Sequence, residues 1–154
     1  MNYFDYSEFA IEIRKDLPAA YAAYWQQLAK PGNWWTGAER VAIALETRNA
    51  LTCAFCAERK QALSPYGMEG KHDHAGVLPE RVVDAVHRII TDPNRITQAL
   101  VDDNAANGLS KAAYVELVGI AVTVFSIDEF HRAMGLPVEP LPEPVAGEPS
   151  RYMP

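Results

Sequence analysis

The chain has 154 residues, of which 49% are hydrophobic and 22% are charged, and its formal net charge is −6. This length allows one domain with its own core, and these proportions are ordinary for a soluble globular protein. Because the charge is negative and Lys and Arg form no run, nucleic acid and membrane surfaces are not expected as partners.

The cellular location is predicted from the N-terminal residues and from the most apolar stretch of the chain. Residues 1–6 have neither the basic nor the apolar region of a secretory signal. The most apolar window, residues 112–127, is short for a bilayer and carries Glu116 at its centre, so we expect it to be a buried core helix. We therefore predict a cytoplasmic protein.

Capping and breaking signals define the helices expected in the first part of the chain. Ser7 is placed to cap a short helix over residues 8–15, and Pro18 lies in the first turn of a second helix, which the Pro-Gly at 31–32 ends. Thr36 and Glu39 form the capping-box pattern at the start of a third helix, expected to end near Asn49. A strand over residues 41–45 is the alternative. The apolar residues assigned to the inner face of this helix are Val41, Ala42, Ile43 and Leu45.

Further signals divide the rest of the chain. Thr52 is expected to cap a helix that ends near residue 63, and a polar loop follows over residues 67–77. Helices are then predicted over residues 80–92 and 93–108, and Ser110 should cap the longest helix, which Gly135 closes. Six prolines beyond Leu136 favour an extended tail. We predict an all-α fold of about six helices, with one domain over residues 1–135 and a proline-rich tail over residues 136–154.

Cys53 and Cys56 are the only cysteines, and their CxxC spacing puts both thiols on one face of a helix start. In a reducing compartment such a pair is more often redox-active or metal-binding than a structural disulfide. A helix N-terminus stabilises a thiolate, and Lys60, one turn beyond Cys56, adds a cation on the same face. A thiolate that attacks a hydroperoxide becomes a sulfenic acid, which the second thiol converts to a disulfide.

The same two cysteines are also suited to a zinc site. His72 and His74 lie in the polar loop and could complete four ligands, although the His-x-His spacing is tighter than usual. Loop histidines are, however, more often simply solvated. His87 falls on an amphipathic helix, and we interpret it as a core or surface histidine and not as a ligand.

The residues around the cysteines resemble a known family. Glu39 to Leu45, then Asn49, then Cys53-Ala-Phe-Cys56 are similar to the core of the alkylhydroperoxidase D-like / carboxymuconolactone decarboxylase family, in its peroxidase-related branch with CxxC. Residues 114–119 and 131–137 also resemble the closing helix of that branch. The resemblance covers roughly residues 34–142 and implies an all-helical bundle that assembles as a dimer, trimer or hexamer.

The resemblance also implies a chemistry and the residues that perform it. Cys56 would be the peroxidatic cysteine, Cys53 the resolving cysteine and Glu39 the acid of a proton relay. The substrates would be a small-molecule hydroperoxide and a dithiol reductant, with no cofactor and no metal. Lactone decarboxylation is not implied, because that branch generally lacks the cysteine pair.

The chain departs from the family pattern at the relay. Phe55 stands where a histidine is often found between the cysteines, and Lys60 stands where the relay histidine is expected. The segment between Asn49 and Cys53 is also longer. A lysine is a poor base unless it is buried, so His131, the only histidine on the longest helix, is a candidate replacement. Glu46 is a rival to Glu39 as the relay acid.

Four functions are therefore considered from the sequence. The first is a thiol-dependent hydroperoxide reductase that uses the Cys53–Cys56 pair, and the second is a zinc-binding module. The third is an inert family relative that acts as an oligomeric binding protein. The fourth is a thioredoxin-like oxidoreductase, which would require residues 41–45 to form a strand.

Overall fold

The computed structural model describes residues 3–7 and 9–153. These residues form six α-helices and two short 3₁₀ turns, with no strand among them, which confirms the all-α class. The helices are α1 (Asp16–Leu28), α2 (Gly37–Ala50), α3 (Ala54–Gln61), α4 (Glu80–Thr91), α5 (Gln98–Ala106) and α6 (Lys111–Ala133).

The capping signals predicted at the starts of α2 and α6 are confirmed. At the start of α2 the Thr36 hydroxyl accepts a hydrogen bond from the Glu39 N–H, and the Glu39 carboxylate accepts one from the Thr36 N–H at 2.8 Å. Ser110 accepts from the Ala113 N–H in the same way at the start of α6. The strand alternative over residues 41–45 is therefore wrong, and a thioredoxin-like sheet is excluded for the described residues.

Three predicted helix starts are wrong, and one of them is that of α5, which begins at Gln98 and not at residue 93, where a separate 3₁₀ turn lies. The helix expected over residues 8–15 is absent from residues 9–15, and Glu8 lies outside the described residues. Residues 9–15 are irregular, and Phe4, which precedes them in the chain, packs its ring against Trp25 at a centroid distance of 5.1 Å. Thr52 does not cap α3, because its hydroxyl donates back to the Asn49 carbonyl and Cys53 takes the N-cap position with an extended backbone.

Helices α2, α4 and α6 pack against one another and enclose the core. Helix α3 lies against α4, α1 against α2 and α5 against α6. The three central helices contribute the largest apolar side chains that are fully buried, together with α1: Trp25, Leu28, Ile43, Val83, Val86, Leu117 and Val124. The first turn of α3 contacts α4, which holds it against the core.

Residues 136–153 contain neither helix nor strand, and they run back across the connection between α1 and α2. The Val145 N–H donates to the Ala29 carbonyl and the Ser150 N–H to the Gly32 carbonyl. The indole N–H of Trp25 donates to the Pro140 carbonyl at 2.8 Å. The tail thus contributes hydrogen bonds to the helical domain. Pro154, its last residue, lies outside the described part.

Helix α6 leaves part of its apolar surface uncovered, since Val115 and Val122 are exposed. The homo-oligomer expected from the sequence stays a prediction. In the described part of the chain no single helix is long and apolar enough to cross a membrane, although α5 and α6 meet that criterion jointly across a bend of 119°.

Candidate functional site

The two cysteines lie at the buried start of α3. Cys53 is the N-cap residue and Cys56 belongs to the first turn, and each is only 2% exposed. Both are free thiols. The sulfur of Cys53 accepts a hydrogen bond from the Asp73 N–H at 3.4 Å, so the loop after α3 reaches back over the cysteines.

A buried histidine and a buried glutamate continue from Cys56. His87 on α4 places Nδ1 3.2 Å from the Cys56 sulfur, and its Nε2 lies 3.2 Å from a carboxylate oxygen of Glu46 on α2. His87 is 0% and Glu46 1% exposed. A carboxylate can only accept, so Nε2 carries the proton and the lone pair of a neutral His87 points at the sulfur. Cys56, His87 and Glu46 therefore form a thiol–imidazole–carboxylate chain, which we call the relay triad.

A second histidine lies between the two sulfurs. Nδ1 of His72 is 3.7 Å from the Cys53 sulfur and 3.4 Å from the Cys56 sulfur. Its Nε2 lies 3.0 Å from a carboxylate oxygen of Asp84 on α4. The two imidazole rings are packed edge to face at a centroid distance of 4.4 Å. Each histidine thus turns Nδ1 towards sulfur and Nε2 towards a carboxylate.

The two histidines differ in their electrostatic environment. Burial lowers the pKa of His87, which the Glu46 carboxylate opposes without reversing. Burial also disfavours the His72 cation, but Asp84 and the two cysteines more than compensate and raise the pKa of His72 to about 10. His87 is therefore suited to accept a proton and His72 to hold one near the sulfurs.

The surroundings of Cys53 favour ionisation of its thiol. Burial on its own raises the pKa of this thiol. The backbone N–H groups of Cys56 and Asp73, together with the His72 ring, oppose that effect and lower the pKa below its ordinary value. Hydrogen bonds to the anion therefore outweigh desolvation at this sulfur.

The loop between α3 and α4 closes over the cysteines through polar contacts with the helices. The Asp73 carboxylate accepts from the Ala54 N–H at 3.0 Å, at the start of α3. The Ala75 N–H donates to Glu46 at 2.7 Å, and the Asn49 side-chain amide donates to the same Glu46 oxygen at 3.2 Å. Glu46 is thus fixed by a loop donor, by its own helix and by His87.

Phe55 and Arg59 form the wall of the site on the α3 side. The Phe55 ring packs against the His72 ring at 5.1 Å, and the Arg59 guanidinium lies 5.3 Å from the Phe55 centroid. Arg59 is buried and donates to Asp84 at 2.6 Å. A Cβ on Gly70 would come within 2.3 Å of the Phe55 ring, so only glycine lets the loop approach so closely.

Other residues predicted for the site are placed elsewhere. Glu39 is occupied by the capping box with Thr36. Lys60 is exposed on α3. His131 hydrogen-bonds with the Tyr6 hydroxyl and the Pro137 carbonyl. The structure does not bring these three side chains to the sulfurs.

Of the two loop histidines, only one reaches the cysteines. His72 does so, whereas Nε2 of His74 faces Glu80 at 3.2 Å and its Nδ1 accepts from the Gly76 N–H. The place assigned to His74 in the predicted zinc set is occupied by His87 on α4. The His-x-His spacing therefore does not define the cluster.

Sequence reasoning ranked Glu46 second and interpreted His87 as a packing residue. A signal for both was present in the helical periodicity. Glu46 lies three residues after the buried Ile43, and His87 lies four residues after the buried Val83. A titratable residue on the apolar face of each of two packed helices requires a partner, and these two partner each other.

Comparison of the chain with protein-family models, with curated proteins and with solved structures finds no match. The family resemblance seen in the sequence therefore stays a prediction.

Proposed function

We propose that this protein is a thiol-dependent reductase of small hydroperoxides, in which Cys56 attacks the peroxide and Cys53 resolves the product. The observation that carries the proposal is the relay triad. In the alkylhydroperoxidase-like family that the sequence resembles, a relay histidine is expected where this chain has Lys60. His87 on α4 supplies a base in its place. Glu46, the rival relay acid, takes the role that the resemblance gave to Glu39.

The first step oxidises Cys56. Nδ1 of His87 accepts the thiol proton of Cys56, and Glu46 stabilises the resulting imidazolium through Nε2–H. The thiolate attacks one peroxide oxygen, the O–O bond breaks, and Cys56 becomes a sulfenic acid. The alkoxide, or hydroxide when the substrate is hydrogen peroxide, takes up a proton and leaves as an alcohol or water. The His72 cation lies 3.4 Å from this sulfur and can supply that proton.

The second step forms the disulfide. Cys53 attacks the sulfenic sulfur of Cys56 as a thiolate, which the lowered pKa of its thiol favours. An S–S bond forms and the sulfenic oxygen leaves as water after it accepts a proton. A dithiol donor then supplies two electrons and two protons, which restores both thiols.

The burial of the sulfurs favours small substrates. Each cysteine is 2% exposed, and the loop over the site is held by the contacts of Asp73 and Ala75. Hydrogen peroxide and short alkyl hydroperoxides should therefore react faster than bulky aromatic hydroperoxides.

The test is a thiol titration of reduced protein in the presence of a metal chelator, before and after one equivalent of hydrogen peroxide. Wild-type protein should lose both thiols and form an intramolecular disulfide. Cys53→Ser should retain a sulfenic acid on Cys56, which a dimedone-type reagent traps for mass spectrometry. Cys56→Ser should keep Cys53 reduced.

The single variants also assign the attacking residue. If Cys56→Ser forms a sulfenic acid on Cys53 while Cys53→Ser stays reduced, the roles are exchanged. If both wild-type thiols persist under peroxide, the proposed activity is wrong.

A further inference from the structure

Four donor side chains from three segments of the chain converge on one point. Cys53 and Cys56 come from the start of α3, His72 from the following loop and His87 from α4. One donor atom from each lies within 4.8 Å of all the others, and all four residues are buried. The proposed redox chemistry uses these residues in separate steps and does not require that four donor atoms converge on one point.

The separations match a tetrahedral metal site. With Zn–S bonds of about 2.3 Å and Zn–N bonds of about 2.0–2.1 Å, a tetrahedron has sulfur–nitrogen edges of about 3.6 Å. Three of the four sulfur–nitrogen distances are 3.7 Å for Cys53 with His72, 3.4 Å for Cys56 with His72 and 3.2 Å for Cys56 with His87, and the fourth, Cys53 with His87, is at most 4.8 Å. Two thiolates and two imidazoles in a tetrahedral arrangement are a ligand set typical of structural zinc sites.

The surroundings of both histidines also fit a metal ligand. A metal-bound histidine usually donates its remote N–H to a carboxylate, which fixes the tautomer and orients the ring. His72 is held in this way by Asp84 at 3.0 Å and His87 by Glu46 at 3.2 Å. In each ring the nitrogen left to bind a metal is Nδ1, the nitrogen that faces sulfur.

The charges balance as well. Two thiolates neutralise Zn²⁺, and the Asp84 carboxylate is paired with Arg59 and Arg88. Because four protein donors fill a tetrahedron, no position is left for water, as in a structural zinc site. Zinc would join the start of α3, the loop and α4 at one point.

We propose that the reduced protein binds one Zn²⁺ per chain through Cys53, Cys56, His72 and His87. His74, the second histidine expected from the sequence, is not a ligand. Zinc binding and the disulfide exclude each other, because both require the same two sulfurs. Zinc therefore protects the thiols from peroxide, and the redox chemistry belongs to the metal-free protein. The zinc site does not depend on that chemistry and is tested separately.

The experiment uses the full chain, reduced and freed of metal by a chelator under nitrogen, and titrated with Zn²⁺ against a chromogenic chelator. We expect one Zn²⁺ per chain, and X-ray absorption at the zinc edge should give two sulfur and two nitrogen neighbours. Co²⁺ in place of Zn²⁺ should give the visible bands of a tetrahedral site and a thiolate charge-transfer band. These spectra use the wild-type chain and do not depend on whether a variant folds.

Matched histidine variants assign the ligands. His72→Ala and His87→Ala should each weaken zinc binding by about a hundredfold or more, whereas His74→Ala, in the same loop, should bind as the wild type does. Absence of stoichiometric binding, a shell of oxygen donors, or equal weakening in His74→Ala would overturn the proposal.

Peroxide reactivity separates the zinc site from the proposed function. Zinc-loaded wild-type protein should keep its thiols under hydrogen peroxide, and chelation should restore their loss. Zinc binding without a peroxide reaction after chelation refutes the proposed function alone. A peroxide reaction that proceeds at the same rate with and without zinc refutes the zinc site alone.

Discussion

Replacement of Glu46 by glutamine tests the relay triad most directly. Glu46 accepts three hydrogen bonds: from the Ala75 N–H at 2.7 Å, from the Asn49 amide at 3.2 Å and from His87 Nε2 at 3.2 Å. Glutamine has one oxygen and one NH₂ group in place of two acceptor oxygens. If its oxygen keeps Ala75 and Asn49, its NH₂ group faces His87.

The histidine must then change its tautomer. Two donors facing each other would leave a buried N–H unsatisfied, at a cost of about 1–3 kcal/mol. A neutral His87 avoids that cost by moving its proton from Nε2 to Nδ1, so that Nε2 accepts from the glutamine. Nδ1–H then points at the Cys56 sulfur and can no longer accept its proton. We therefore expect the free energy of unfolding to change by less than about 1 kcal/mol, while general-base assistance, worth about a hundredfold or more in rate, is lost.

Glu39→Gln on the same helix is the matched control. A glutamine at the third helical position preserves a capping box, so this variant changes the same chemical group without disturbing α2. The assay is the rate of thiol loss under hydrogen peroxide, in the presence of a chelator. The proton position on His87 is read from long-range ¹⁵N–¹H spectra. An unchanged rate in Glu46→Gln, or an equally slowed rate in Glu39→Gln, would refute the reasoning.

Three further substitutions separate stability from chemistry. His131→Ala removes two hydrogen bonds and three aromatic contacts. It should lower the free energy of unfolding, measured in urea, by about 2 kcal/mol, with no change in the rate of the peroxide reaction. A slower reaction would restore His131 as a relay candidate. Arg59→Met breaks the ion pair with Asp84 and should also lower the free energy of unfolding by about 2 kcal/mol. The loss is smaller than for a fully buried pair because Asp84 is 30% exposed. An unchanged urea midpoint would contradict this prediction. Leu117→Ala, at a core position that is 0% exposed, should lower the free energy of unfolding by about 3 kcal/mol. Calorimetry should show a lower Tm, and the zinc titration should give an unchanged stoichiometry.

The helices that begin with local signals could be predicted from the sequence. Thr36 with Glu39 and Ser110 with its first turn satisfy the backbone N–H groups of their own helices, so neighbours in sequence determine where α2 and α6 begin. The N-terminal segment could not be predicted in this way. Ser7 was the only start signal of the predicted helix, and the buried contact of Phe4 with Trp25, a residue distant in sequence, is one that no local pattern specifies.

Both cysteines, His72 and, as a second choice, Glu46 were predicted for the candidate site, whereas His87 was not. The inner face of α2 was predicted to contain Val41, Ala42, Ile43 and Leu45, but Val41 is only partly buried, Leu45 is exposed, and the buried face also includes Glu46 and Thr47. The predicted face was therefore rotated about the helix axis relative to the observed one, so that Glu46 lay at its margin. His87 could not be assigned a role without knowing that α2 and α4 pack side by side, which no local pattern specifies.

All the groups that contact the sulfurs come from one continuous part of the chain, between Glu46 and His87. Cys56 is 16 residues from His72 and 31 residues from His87, so the site forms by closing short loops, whose entropic cost grows only slowly with length. Helix α6 and the tail contribute packing but no donor. One continuous segment therefore supplies all the chemistry, and α6 reaches the site only indirectly, through its packing against α2 and α4.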